Sequence, residues 1–407
     1  ACVCFTVGLD NPGRDGTYCP DKGGRDMLEN VVVVGGYRTY IGKENGIYRH
    51  IPAEKLGEHI LHKLSGDYGA PDLVLAGNAV GAGGNIGRLM SLESGIPEEI
   101  PAFTIDSQCS SGMEAIVMAA AKIGSGQQKV VFAGGAESSS TAPRRMVSEN
   151  HPEYSGDKSY TAAKFSPGEW RQDAMLWGAE KIAKMSDISR ETLDAWALRS
   201  HELAVKARDA EVFGDIILPL GMKKECDQGI RRTLSKAFLE KIPTLYENGV
   251  TTAANACGTQ DGAAFVVLCA ESYAKKKGWK PWLRFVDMVE VAGNPEMPPL
   301  LVNKALDKLF EKTGIQPEEI AAYECNEAFA VIDELFAKKY PACVPAYNAC
   351  GGALAYGHPY GATGGILTLH LAKRLQQCAE DNVYGVSAIA AAGGQGTAIL
   401  WKKVCEK

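Results

Sequence analysis

The feature that most restricts the fold of this chain is an order of elements that occurs twice. In the first half, apolar runs that end in glycine or small polar residues alternate with segments of helical period. The runs are "NVVVVGGYRTYIG" from residue 30, "DLVLAGNAVG" over 72–81, "AFTIDSQ" over 102–108 and "KVVFAGGAESSS" over 129–140. The helical segments are "IPAEKLGEHILHKL" over 51–64 and "SSGMEAIVMAAAKI" over 110–123. Runs this short and this apolar predict buried strands. The order returns downstream. "WLRFVDMVEVA" (282–292) is followed by the helical "PPLLVNKALDKLFEKTG" (298–314) and the strand and loop "IAAYECNEAF" (320–329). "VPAYNACGG", with the helix after His358, parallels the strand and helix around Cys109, and "YGVSAIAAAGGQGTAILW" parallels "KVVFAGGAESSS". Alternation of this kind predicts an α/β fold, and its repetition predicts two pseudo-symmetric βαβαβ-type halves.

Between the halves, residues 143–249 are more polar and carry one strong amphipathic helix, "SRETLDAWALRSHELAVKARDA" (189–210), opened by Ser-x-x-Thr. This segment reads as an inserted loop domain lying on the surface. "NGVTTAANACGTQDGAAFVVLCAESYAKK" (248–276) then returns to the first half with another strand and helix. The partition is an N-terminal extension at 1–29, a first half at 30–142 plus 250–272, an inserted domain at 143–249 and a second half at 273–407. Residues 1–29 are polar and glycine-rich, without periodicity. Cys2, Cys4 and Cys19 lack a fourth ligand and a recognised zinc spacing, so no metal is expected there.

A net charge of −6 argues against a nucleic-acid partner, and an anionic substrate requires a local basic patch against that background. No stretch approaches the roughly 18 apolar residues of a membrane span, and no leader pattern opens the sequence. Twelve irregularly spaced cysteines in 407 residues do not form a disulfide framework. The expectation is a cytoplasmic protein with reduced thiols and no membrane partner.

Two residues stand out by position. Cys109 lies between an apolar strand and a helix whose apolar residues Met113, Ile116, Val117, Ala120 and Ile123 follow the helical period. A cysteine at a helix N-terminus feels unpaired N–H groups, which favour thiolate, although a buried structural cysteine is the commoner case. His358, in "YGHPYGATGG", occupies the equivalent elbow of the second half. If the halves pack symmetrically the two elbows face each other, and a Cys–His pair makes an activated nucleophile. Asn326, in "NEAF", either holds a water, positions His358 or is an ordinary turn asparagine. "GGYRTYIGK" misses the phosphate-loop spacing. "GNAVGAGGNIG" does not match the dinucleotide fingerprint, and no Gly-x-Ser-x-Gly elbow occurs.

"CSSGMEAI", "NEAFA", "GGALAYGHPYGATGG" and "AGGQGTAIL", in this order, resemble the thiolase family, as do "RTYIG" and "ANACGTQDGAA". The likeness runs from about residue 30 to the C-terminus. It implies a thiolase fold, an inserted domain that binds coenzyme A, and a homodimer or homotetramer. It further implies that Cys109 carries the acyl group. His358 and a water on Asn326 form one oxyanion hole, and the backbone N–H groups of Cys109 and Ala392 form the other. Acyl-CoA and CoA are substrate and product, and no separate cofactor is implied. Phe329, Ala253 and Cys257 fall in the substrate-binding set, Phe329 beside the pantetheine and Cys257 where the family carries serine. Lys223, Lys224, Arg231 and Arg232 are the basic candidates for the nucleotide.

One departure bears on mechanism. The second catalytic cysteine of the family's last motif falls on Ala390. Acyl transfer to Cys109 needs no group there, but carbon–carbon chemistry needs a proton carrier, and losing one typically costs ~10²–10⁴ in rate. The reading is therefore a thiolase-like acyltransferase with impaired carbon–carbon chemistry. Decarboxylating condensation, which needs no α-proton base, and a degenerate acyl-CoA-binding partner stand as alternatives. Cys325 and Cys350 are the candidate substitutes, Cys350 the better one because glycines follow it, although a small buried filler is the more ordinary role for that cysteine.

Overall fold

A computed structural model describes residues 29–154, 156, 158–168 and 171–404. The extension at 1–28 with its three cysteines, and the last three residues, lie outside the described residues. The first half contains β1 (Val31–Arg38), β2 (Gly42–Lys43), α1 (Ala53–Tyr68), β3 (Leu73–Gly77), α2 (Ile86–Glu93), β4 (Ala102–Ile105), α3 (Ser111–Gly124) and β5 (Val130–Ser138). There follow α4 (Ala174–Met185), α5 (Arg190–Asp209), α6 (Lys236–Leu239), β6 (Gln260–Ala270) and α7 (Glu271–Lys277). The remainder is β7 (Leu283–Ala292), α8 (Leu301–Thr313), β8 (Ile320–Cys325), α9 (Ala330–Lys339), α10 (Ala353–Tyr356), α11 (Tyr360–Gln377), β9 (Tyr384–Ala391) and β10 (Gln395–Lys403).

The strands run in the order β4-β3-β5-β6-β1-β7-β10-β9-β8, with β2 on β6. β3 is parallel to β4 and β5, and β6 and β1 follow antiparallel. On the other side β8 is parallel to β9, and β10 and β7 follow antiparallel. The halves meet through only two pairs, Val32 with Arg284 and Val33 with Leu283. Side chains alternate between faces along each strand. Val32 and Val34 pack outward with Leu56, Ile60 and Leu64 of α1 and Met90 of α2. Val33, Leu75, Val131 and Val266 face inward onto α3 and α11, which also receive Ile389, Ile399 and Trp401 from the second half. Ala398 and Leu400 face outward with Leu306 and Leu309 of α8. The result is five layers, with α3 and α11 shared at the centre.

One expected strand is almost absent. The counterpart of β4 in the second half is a single parallel bridge, Tyr323 with Tyr347. Pro341 and Pro345 lack N–H donors for a ladder, and Pro341–Ala346 winds as a 3₁₀ turn instead. Asn348 replaces the lost ladder bonds. Its Oδ1 accepts from the N–H of Cys325, and its Nδ2 donates to the Cys325 carbonyl, both at 2.9 Å.

Ser189 caps α5 by accepting from the N–H of Thr192, as the Ser-x-x-Thr pattern suggests. The segment carrying α4–α6 is pinned to β1 by a bidentate ion pair between Arg38 and Asp227, both bonds 2.9 Å. It is pinned to the second half by Trp196 on Glu334 at 2.9 Å and Ser200 on Glu327 at 2.5 Å. Among the described residues no helix is long and apolar enough to cross a membrane.

Candidate active site

Cys109 sits on the elbow between β4 and α3. The turn is held from within: Gln108 adopts φ +52, its N–H bonds to Asp106 at 2.9 Å, and Ser111 Oγ accepts from the N–H of Ser107 at 2.9 Å. Cys109 is buried. Burial pushes its thiol up to about 12, and the charges of Glu137 and Asp106 push the same way. The N–H groups of Ala392 and of Cys109 itself oppose this, because both point at the sulfur. The helix end was expected to favour thiolate. In the folded protein desolvation outweighs it, and the resting group is a thiol.

His358 follows Gly357, whose φ of +101 and contact with the Gln260 side chain leave no room for a Cβ. Its Nδ1 lies 2.7 Å from Thr363 Oγ1, and that hydroxyl donates onward to the Pro359 carbonyl at 3.0 Å. The hydroxyl proton being used, Thr363 accepts from Nδ1–H. The lone pair of Nε2 is then free to face Asn326 Nδ2, 3.3 Å away. Burial lowers the His358 pKa to about 3, so the ring is neutral. Asn326 is fixed by its N–H on the Ala388 carbonyl at 2.9 Å, and its Oδ1 is buried without a partner. That orphan acceptor is what a bound water or substrate donor requires.

The two elbows are pressed together through backbone. A Cβ on Gly112 would stand 2.4 Å from the Gly361 carbonyl oxygen, and one on Gly364 only 2.0 Å from the Met113 nitrogen. Glu137 binds both sides, accepting from the N–H groups of Ala79 at 2.9 Å and Gly361 at 3.0 Å. Burial raises it to about 7 against these bonds. The segment with Cys257 lies alongside: Ala256 bridges Phe329, Cys257 N–H bonds to the Ala328 carbonyl at 2.9 Å, and Thr259 bridges His358. Burial and then the nearby Cys109 raise the Cys257 thiol, so the two sulfurs lie within electrostatic reach of each other.

A cavity of about 410 Å³ opens beside this segment. Its walls include Ala253, Ala256, Gly258, Gln260, Phe238 and Leu354, with Lys43 and Arg231 as cations and a His201 ring that burial and those cations lower to about 4. Of the four basic residues expected, only Arg231 lines it. Arg232 is paired with Asp209 at 2.6 Å, and Lys223 and Lys224 lie on an exposed turn. Lys43 and His201 come from outside the charged stretch that suggested the patch, and no local sequence signal marks them.

Ala390 is buried on β9, paired with Gly396 and packed in the cluster that contains Ala328 and Phe329. Cys325 is buried in that outer core. Cys350 is half-buried beside Glu324 and Arg374, its thiol pushed up to about 11 by burial. Among the described residues it has no interaction with Cys109, His358 or Asn326. The expected preference for Cys350 thus finds no support in the geometry.

A buried thiol with two backbone N–H groups beside its sulfur and a neutral imidazole on the facing elbow thus meet where the two halves of a duplicated α/β scaffold pack together. Residues 31–272 match the family described as thiolase, N-terminal domain, and residues 279–403 match thiolase, C-terminal domain. The chain belongs to the thiolase family and is an acyltransferase of that type. It is 35% identical over 380 residues to a Bacillus subtilis (strain 168) protein provisionally named acetyl-CoA C-acetyltransferase YhfS, covering 92% of this chain and 99% of that one. A Staphylococcus aureus (strain MW2) protein provisionally named acetyl-CoA C-acetyltransferase VraB is 33% identical over 392 residues, covering 92% and 100%. Among solved structures, human mitochondrial 3-ketoacyl-CoA thiolase in complex with CoA superposes with a TM-score of 0.85 at 30% identity over 93% of this chain and 99% of that one. The Bacillus anthracis acetyl-CoA acetyltransferase gives 0.84 at 27% identity, over 93% and 100%.

Proposed function

We propose that the chain transfers acyl groups from acyl-CoA through a thioester on Cys109. The carrying observation is the pair of N–H groups, from Cys109 and Ala392, that converge on the Cys109 sulfur. Donors so placed reach the carbonyl oxygen of a thioester built on that sulfur, where they stabilise the developing oxyanion. The thiol proton passes to Nε2 of His358 as the sulfur attacks the acyl carbon. The tetrahedral intermediate collapses, and the same proton leaves with the CoA thiol. Thr363 holds the imidazole in the tautomer that this requires, the positioning role a third group plays beside a nucleophile and its base.

The relative crystallised with CoA supports CoA as the carrier, and the cations Lys43 and Arg231 suit its anionic end, beside a His201 ring that burial keeps neutral. Residues 143–249 would then serve as the CoA-covering domain between the two halves. The exposed Phe103 on the edge strand β4, with exposed Leu89 and Leu92 nearby, suits a homodimer or homotetramer. Ala390 favours a second reading of the later step, in which a decarboxylating donor supplies the carbanion without an α-proton base. Mass spectrometry of the protein after acetyl-CoA tests the proposal. One acetyl group on Cys109, absent in Cys109→Ala, is expected. An unmodified protein that still binds CoA would make it a binding partner instead.

A further inference from the structure

Acyl transfer as proposed uses Cys109, His358, Asn326 and two backbone N–H groups, and Ala390 contributes only a methyl. Besides the Cys257 thiol, one more ionisable side chain at the meeting of the elbows has no part in that step. Tyr360 opens α11, directly after His358 and Pro359. Its ring stands edge-on to the His358 imidazole, centroids 4.9 Å apart at 89°. It packs against the central core that contains Cys109 and is only partly buried. Burial raises the phenol's pKa, and Cys257, Cys109, Glu137 and Glu44 add to it, which places the oxygen within electrostatic reach of both thiols.

The hydroxyl makes no hydrogen bond to any described residue. Four other tyrosines of the second half, all more deeply buried, are bonded. Tyr323 donates to Pro317 O at 2.7 Å, Tyr340 to Asp307 at 2.5 Å, Tyr347 to Asp333 at 2.6 Å and Tyr356 to Cys350 O at 3.0 Å. Tyrosine hydroxyls in apolar surroundings normally find a partner. A free one beside the nucleophile is available to substrate.

We propose that Tyr360 carries the α-proton in the carbon–carbon step, in place of a cysteine at 390. The proposal rests on acyl transfer through Cys109. In cleavage of a 3-oxoacyl-CoA, the Cys109 sulfur attacks the 3-oxo carbon while its proton moves to His358. The bond between the 2- and 3-carbons breaks, and its electron pair passes to the departing acetyl-CoA enolate. The Tyr360 O–H proton moves to that carbon, leaving a phenolate. The phenolate takes the S–H proton of incoming CoA, whose thiolate attacks the acyl-Cys109 thioester, and the expelled Cys109 thiolate recovers its proton from His358. A phenol ordinarily titrates near ~10 and a thiol near ~8.5, so the phenolate is a competent base toward CoA once formed. The same high affinity for its proton keeps Tyr360 neutral until a carbanion appears.

The test follows thiolysis of acetoacetyl-CoA by CoA and, separately, acetylation of Cys109 by acetyl-CoA. The unmodified chain is expected to cleave slowly. Tyr360→Phe should lower thiolysis by ~10²-fold or more, while Cys109 acetylation proceeds. Ala390→Cys should raise thiolysis in both the tyrosine and the phenylalanine backgrounds, because the new thiol makes the phenol dispensable. Thiolysis unchanged in Tyr360→Phe overturns the proposal, as does no thiolysis at all by the unmodified chain. A double variant Tyr360→Phe, Ala390→Cys that acetylates but does not cleave also overturns it, since Tyr360 would then be structural. Failure of acetylation in the unmodified chain removes the acyl-transfer reading itself, and the proposal with it.

Discussion

Iodoacetamide alkylation of Cys109 as a function of pH tests the resting state of the site. A thiol held at about 12 instead of the ordinary 9.0 is ionised to about 1 part in 10⁴ at pH 8, against about 1 in 10. Alkylation should therefore run roughly 10³-fold slower than at an exposed cysteine, a difference of about 4 kcal/mol. Cys226 is exposed and supplies the internal reference. Peptide mapping of both sites across pH 6–11 should show the Cys109 rate rising tenfold per pH unit without levelling. Glu137→Gln, which removes a nearby negative charge, should raise the Cys109 rate above about pH 7, where Glu137 is ionised, and have little effect at pH 6. A plateau between pH 6 and 8 would refute the reasoning, because it would mean that His358 already holds the proton in a thiolate–imidazolium pair. The physical basis is that burial penalises both ions together, so the proton moves only when a carbonyl oxygen arrives to accept the two N–H groups.

Arg38→Met leaves Asp227 charged and unpaired in the core and should cost about 3–5 kcal/mol in thermal or denaturant unfolding. The pair of changes Arg38→Met and Asp227→Leu should recover most of that, and no recovery would mean the ion pair is not the cause. Thr363→Val removes the acceptor of His358 Nδ1–H and should slow Cys109 acetylation by about 10–100-fold, from about 1–3 kcal/mol for a stranded buried donor. Thr363→Ser should restore the rate, and an unchanged valine variant would contradict the tautomer assignment. Arg231→Ala should weaken CoA binding in calorimetry more than Lys223→Ala, Lys224→Ala or Arg232→Ala, and the reverse order would move the nucleotide site.

The order of strands and helices was legible because the pattern of apolar residues reports which face is buried. Val33 and Val32 go to different cores for no reason beyond their alternation. Cys109 and His358 were found as elbows for the same reason. What escaped depended on contacts between distant segments. The direction of the Cys109 pKa shift reverses because burial is a property of the assembled core and not of the helix end. Arg232 looked available until Asp209 was seen beside it. His201 joins the cavity only because its Nδ1 accepts from the N–H of Arg231, thirty residues on. The edge strand at 344–352 failed to form because Pro345 within it and Pro341 just before it wind the chain into a 3₁₀ turn, a local signal that the duplication argument overrode.

The division of labour within the site explains how one motif can lose its cysteine while the rest stays in register. In the proposed acyl transfer the oxyanion donors are backbone groups. Their position depends on Gly112, Gly361 and Gly364, whose close contacts admit no side chain, and on Glu137, which ties the Gly361 end to residues 79 and 80. None of this involves the side chain at 390. Ala390 enters through its backbone, in register with Gly396 on a strand that ends just before Ala392. Replacing the side chain there removes a proton carrier without moving the N–H of Ala392. On the proposed mechanism, acylation and carbon–carbon chemistry are thus held by different parts of the structure, the first by backbone and His358, the second by whichever side chain reaches the α-carbon.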